Sequence, residues 1–128
     1  MQNVTAIFVA LMLMGLIGCE TAEEIRLRAE GDTKINMKTG QALRIELEAN
    51  ATTGYMWSLT EPAEKGVLSQ IGEHQYVRGS DRISAGGIQI YNFKALKRGR
   101  TELVFEYKRS WEKAKAPAKR YVISVAVH

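Results

Sequence analysis

Leu43-Arg44-Ile45-Glu46-Leu47-Glu48-Ala49-Asn50-Ala51-Thr52-Thr53-Gly54-Tyr55-Met56-Trp57 is the stretch whose reading decides the fold. Leu43, Ile45 and Leu47 alternate with Arg44, Glu46 and Glu48, the period-2 pattern of a half-buried strand. The strand then gives way to Asn50, Ala51, Thr52, Thr53 and Gly54, a run of short side chains with one residue free to take positive φ. Two aromatics, Tyr55 and Trp57, close the stretch on alternate positions. Trp57 is expected in the core, whereas Tyr55 either packs beneath the loop or belongs to its contact surface. A loop of this kind projects a compact tip rich in hydrogen-bonding groups. It holds neither a nucleophile beside a base nor a metal-ligand cluster, so it reads as a binding element.

Working outward, short alternating runs separated by turn signals fill the rest of the chain. Residues 25–28 and 34–37 precede the strand at 42–48, and a short strand is expected around 57–59. Pro62 and Gly66 mark residues 61–66 as a connection, and residues 67–77 read as one or two strands interrupted at Gly72. Residues 78–87 form a polar, glycine-bearing loop before a strand at 88–96. In the strand 101–108, Leu103, Phe105 and Tyr107 share a face; residues 109–117 form another loop. Tyr121, Ile123, Val125 and Val127 alternate in the final strand. Seven to nine short strands in one domain predict an all-β, immunoglobulin-like antiparallel β-sandwich. No Cys-Trp-Cys pattern is present, so a true immunoglobulin domain is not expected.

The N-terminus is read separately from this fold. Residues 4–17 are a nearly continuous apolar run, about 21 Å as a helix, short of the roughly 30 Å hydrocarbon layer. Leu16-Ile17-Gly18-Cys19 then resembles a bacterial lipobox, in which the cysteine becomes the acylated first residue of the mature chain. That resemblance implies a lipoprotein signal peptide over 1–18, an acylated N-terminus and short linker over 19–24, and one domain over 25–128. Cys19 is the single cysteine, so no intrachain disulfide is available. Glu20, where an aspartate would signal inner-membrane retention in such lipoproteins, implies an exported protein lipid-anchored to the outer membrane.

Three loops carry unusual chemistry: 50–55, 78–87 and 109–118. Loops separated by two strand crossings emerge at the same end of a sandwich, so the three form one contact surface. Asn50-Ala51-Thr52-Thr53-Gly54-Tyr55-Met56-Trp57, Ala85-Gly86-Gly87 and Arg109-Ser110-Trp111 resemble, in order and spacing, the three loop motifs of the chagasin family of cysteine-protease inhibitors. The resemblance covers about 80 residues, and the first motif is the specific one. It implies reversible, non-covalent inhibition of a papain-like cysteine protease, the cell's own or a host's. The tip would enter the catalytic cleft, Thr52, Thr53 and Gly54 nearest the nucleophilic cysteine. Gly86 and Gly87 would lie on one side of the cleft, and Arg109, Ser110 and Trp111 on the other. Arg109 could pair with an acid on the protease or brace the loop. Ala51 and Ser110 stand where the family keeps proline, a residue that pre-sets φ. Each loss weakens preorganisation by roughly 0.4–1 kcal/mol, about tenfold in affinity together.

Other function classes find little support. The formal charge of +4 is mild and demands no nucleic acid; the six Lys or Arg between 108 and 120 read as a solvated hairpin, with lipid headgroups the foremost alternative as a specific anionic partner. His74 and His128 lack the companions of a metal site. Neither a Gly-x-Ser-x-Gly elbow nor a phosphate-cradling loop before a helix occurs. The chain is therefore expected to be a monomer that needs no cofactor and catalyses nothing. A second reading, favoured by the two missing prolines, is a structural or adhesive envelope module that keeps the sandwich without inhibiting.

Overall fold

A computed structural model describes residues 23–61, 66–79 and 86–128. The apolar leader, Cys19, Pro62 and Ala85 lie outside the described residues. Among the described residues, nine strands form two packed sheets. The first sheet contains β1 (Glu24–Arg28), β3 (Ala42–Ala49), β7 (Gly87–Ala95), and both β5 (Leu68–Gln70) and β6 (Gln75–Arg78) on the far side of β7. The second runs in the order β2 (Thr33–Met37), β9 (Lys119–Val127), β8 (Gly99–Arg109), β4 (Tyr55–Glu61). The one or two strands expected around Gly72 are two, β5 and β6, and Gly72 takes positive φ between them.

The alternating patterns do what period-2 spacing requires. Leu43, Ile45 and Leu47 of β3 are 0 % exposed and meet Leu103 and Phe105 of β8 and Ile123 and Val125 of β9 in a single core. Strand direction is less regular than a fully antiparallel sandwich, because β1 pairs with β3, and β2 with β9, in parallel. Alternation decides which face is buried and carries no information on direction. Direction follows from the connection here: the short turn at 29–32 carries the chain from one sheet to the other. β1 and β2 thereby become edge strands, each beside a strand running the same way.

Register places the loops. Ala49 is opposite Gly87, Arg78 is opposite Gly87 on its other side, and Tyr55 is opposite Arg109. The loops at 50–54, 79–86 and 110–118 therefore leave the same end of the sandwich, termed the loop pole. Glu24 pairs with Ala42, and Gly99 with Val127, so the start of β1 and the 95–99 turn share the opposite, basal pole.

A polar clamp crosses the core just beneath the loop pole. Gln89, fully buried, accepts from the Trp57 backbone N–H at 2.7 Å and donates from Nε2 to the Trp57 carbonyl at 3.0 Å. β4 is an edge strand, so those groups have no strand partner there; the Gln89 amide takes a strand's place. The Tyr91 hydroxyl donates to the same carbonyl at 3.1 Å. Burial pushes the Tyr91 phenol up to about 12, from 10.0. A raised folded value means that the unfolded chain loses this proton first. Its stabilisation is thus whole below pH 10 and falls by about 2–3 kcal/mol as pH rises through 12. Denaturant midpoints between those pH values should decline steeply for the native chain and less for Tyr91→Phe.

Candidate functional site

The tip of the first loop is a single 3-10 turn, Ala51–Thr53, closed at both ends by its own residues. Asn50 is extended (φ −127°, ψ 94°), and its Oδ1 accepts from the Thr52 N–H at 3.2 Å and from the Thr52 hydroxyl. The Thr53 N–H and hydroxyl donate to the Asn50 carbonyl at 3.1 and 2.7 Å. Gly54 ends the turn at φ 83°, donating its N–H to the Ala51 carbonyl at 3.1 Å. Asn at the cap and Gly in the left-handed position are the residue types such a turn demands. Ala51, Thr52 and Thr53 are exposed.

Beneath the tip stands a column of rings. Tyr55 stacks on Tyr107 at 5.4 Å, Tyr107 meets Trp57 at 4.9 Å, and Trp57 meets Tyr121 at 4.5 Å. Trp57 is 3 % exposed, as expected of a core residue, and its indole N–H donates to the Glu48 carbonyl at 2.8 Å. Tyr55 packs beneath the loop. Two hydroxyls support the tip from below: Tyr107 accepts from the Asn50 N–H at 3.2 Å, and Tyr76 from the Ala51 N–H at 3.4 Å.

Arg109, the last residue of β8, joins the first loop to the third. Its Nε donates to the Thr53 carbonyl at 3.1 Å, and its guanidinium lies 4.5 Å from the centre of the Tyr55 ring and 5.9 Å from that of Trp111. Its other branch donates to Glu112 at 3.0 Å, and Lys115 reaches the second oxygen of that carboxylate at 3.0 Å. These bonds, from Lys115 first and then Arg109, hold the Glu112 carboxyl below its ordinary value. A lowered value means that the brace is intact above the ordinary carboxylate range and weakens only as pH falls through the lowered one. Of the two roles open to Arg109 in the sequence, bracing is the one this geometry satisfies. Trp111 is 66 % exposed, and one edge of its indole lies against Gly54.

The described ends of the middle loop, Gly79, Gly86 and Gly87, lie beside the first loop. Gly87 opens β7 where a side chain would overlap the Val77 carbonyl and the Tyr76 ring, so glycine is needed for close approach. The Gly86 carbonyl accepts from the Gly79 N–H at 2.9 Å. An open groove of about 460 Å³ runs between this loop and the first, lined by Asn50, Gly86, Gly87, Tyr107 and Lys119 among others. Asn50 to Tyr55, Gly86, Gly87 and Arg109 to Trp111 thus all lie at one pole, as the sequence implied. Sequence reading missed the supports, Tyr76, Tyr107 and Glu112. For Glu112 a signal existed: it stands three residues after Arg109 in a loop, the reach of a local ion pair.

Comparisons with known proteins bear on the family and the fold. The family model described as Chagasin family peptidase inhibitor I42 matches residues 36–125. Amoebiasin-2 of Entamoeba histolytica is 28 % identical over 106 residues, 83 % of this chain and 86 % of that protein. Among solved structures, the cysteine protease inhibitor EhICP2 of Entamoeba histolytica superposes with a TM-score of 0.72 at 23 % identity, over 84 % of this chain and 97 % of that one. PbICP-C, solved in complex with falcipain-2, superposes with a TM-score of 0.61 at 20 % identity, over 84 % and 100 %. Both structures share the sandwich fold.

Proposed function

This chain belongs to the chagasin family of peptidase inhibitors, and from that premise we propose that it is a reversible, non-covalent inhibitor of papain-like cysteine proteases. One observation carries the reading: three loops converge at one pole around a tip of small, exposed, internally hydrogen-bonded residues. Small side chains at 51–54 let backbone approach a catalytic cysteine and histidine closely, and a turn closed on itself offers the nucleophile no extended peptide to cleave. Trp111 supplies a large rigid contact beside the tip, the kind of residue that dominates interfaces. The purified protein should inhibit papain competitively. A folded protein that leaves papain fully active at high micromolar concentration would sink the proposal. Trp111→Ala should raise the inhibition constant by about 30-fold or more with little change in melting.

The absence of both family prolines favours the alternative of a non-inhibitory envelope module. Active-site-blocked papain separates the two readings, since only an inhibitor is retained on it. The internal bonds of the tip argue for the inhibitor, because they supply order that proline supplies elsewhere. Ala51 is the first residue of its turn, a position that accepts proline, whose missing N–H would forfeit only the 3.4 Å bond to Tyr76. Ala51→Pro should therefore tighten inhibition about two- to fivefold; weakening would mean that the Tyr76 bond matters more than preorganisation.

The same proposal takes Cys19 as the acylated first residue of the mature chain at the outer membrane, supported by the lipobox-like run before it. Cells fed an alkyne-tagged fatty acid should label the native protein and not Cys19→Ala. An unlabelled native protein overturns this part.

A further inference from the structure

The basal pole is built differently from the loop pole. Two turns meet there, 38–41 and 95–99, tied by the Gly40 N–H to the Ala95 carbonyl at 2.8 Å and the Ala95 N–H to the Gln41 carbonyl at 2.9 Å. The Thr39 N–H adds the end of β9 by donating to the His128 carbonyl at 3.0 Å. Lys38, Lys97 and Arg98 are exposed on these turns, with Lys94 and Arg100 exposed on the flanking strands and Leu96 exposed among them. None of these five cations enters an ion pair among the described residues. Among the described residues, acids near this pole include Glu23 and Glu24 at the start of β1, where Glu24 is held by Arg26 at 2.9 Å, and Glu102, two residues along β8 from Arg100 on the same exposed face. At the loop pole Arg109 and Lys115 are taken by Glu112, Lys108 lies 3.7 Å from Glu106, and Lys119 sits over the Tyr107 ring, while the exposed Arg78, Lys113 and Arg120 enter no ion pair among the described residues.

β1 begins at this basic pole, because Glu24 pairs with Ala42 at the end of β3 farthest from the first loop. The apolar run at 4–17 is therefore joined to the basal pole. Five residue steps separate Cys19 from Glu24, at most about 18 Å of extended chain. β3 alone, with 8 residues, spans about 26 Å from the basal pole towards the first loop. A chain held at Cys19 cannot bring its loop pole to the bilayer without lying over on its side.

We propose that Lys38, Lys94, Lys97, Arg98 and Arg100, with Leu96 at their centre, rest on an anionic phospholipid surface, so that the three inhibitory loops face away from the membrane. The tether part of this argument rests on the N-terminal attachment proposed above; the exposed cations stand independently of it. Clustered lysines and arginines beside a membrane attachment are drawn to anionic headgroups over about a Debye length. An exposed leucine among them adds apolar contact at the interface.

The test uses the full chain with Cys19→Ser, so that an introduced thiol is the single label site and acylation plays no part. A fluorophore is placed at Leu96→Cys or, in a second protein, at Ser110→Cys, and the vesicles carry a headgroup nitroxide quencher. On vesicles of phosphatidylcholine with one-third phosphatidylglycerol, the label at 96 should be quenched several-fold more than the label at 110. That contrast should shrink on pure phosphatidylcholine, in molar salt, where the Debye length is about 3 Å, and in the triple variant Lys97→Glu, Arg98→Glu, Arg100→Glu. Equal quenching at both sites, stronger quenching at 110, a contrast indifferent to the triple variant, or no binding to anionic vesicles would each overturn the proposal. Protease inhibition is not read, so failure here is distinct from failure of the inhibitor assignment.

Discussion

Replacing Trp57 by alanine is expected to lower stability by about 3–5 kcal/mol, the range for a large aromatic removed from a packed core. Its indole separates Tyr107 from Tyr121, at 4.9 and 4.5 Å, so its loss leaves two ring faces without a partner. The Glu48 carbonyl loses its 2.8 Å donor at the same time. Both sheets are affected, because Trp57 sits on β4 while Glu48 belongs to β3. For a domain of about 100 residues this corresponds to a fall in melting temperature of at least about 12 °C. Trp57→Phe keeps most of the ring contact and gives up the indole donor, so it should cost about 1–2 kcal/mol. Chemical denaturation of the two variants beside the native protein decides the matter. An alanine variant within about 1 kcal/mol of native would show that the column beneath the loops is not what holds β4 in place.

The burial of Trp57 was legible because strand alternation is a local property that survives any choice of direction or partner. The same alternation marked Leu43, Ile45, Leu47, Leu103, Phe105, Ile123 and Val125 as one core. The parallel edges formed by β1 and β2 were not legible, since inward and outward faces look the same whichever way a strand runs. Gln89 was hidden for another reason. A polar residue in an otherwise apolar strand is costly when buried unless it is fully bonded, and its partners lie 32 residues away on the other sheet. Arg109 divides similarly: its place in a loop motif was plain, whereas its bond to the Thr53 carbonyl spans 56 residues. Local composition finds the loop residues that gather at one pole, and long-range hydrogen bonds supply the rigidity that composition cannot express.

Gly54→Ala is expected to weaken inhibition by about 100- to 1,000-fold, more than removal of the Trp111 ring. Two separate penalties meet at this position. At φ 83° the backbone is left-handed, where an alanine side chain is strained by about 1–2 kcal/mol. A methyl group built there also overlaps the Trp111 indole, which rests directly on the glycine. The indole must swing away, so the first and third loops lose alignment together, and an interface anchor of this type is worth about 2 kcal/mol or more. Arg109 cannot restore the pairing, because it holds the Thr53 carbonyl and lies over both Tyr55 and Trp111 in the geometry being disturbed. The free loop escapes the strain by leaving the left-handed geometry and must regain it on binding, so melting should change far less than inhibition, Gly54 sitting at a loop end above the core. A double-mutant cycle makes the coupling measurable. In the Trp111→Ala background the overlap is gone, so Gly54→Ala should add only the strain penalty, about 5- to 30-fold. If the two substitutions instead multiply in full, the tip and the tryptophan act on the protease independently, and the contact between them has no part in inhibition.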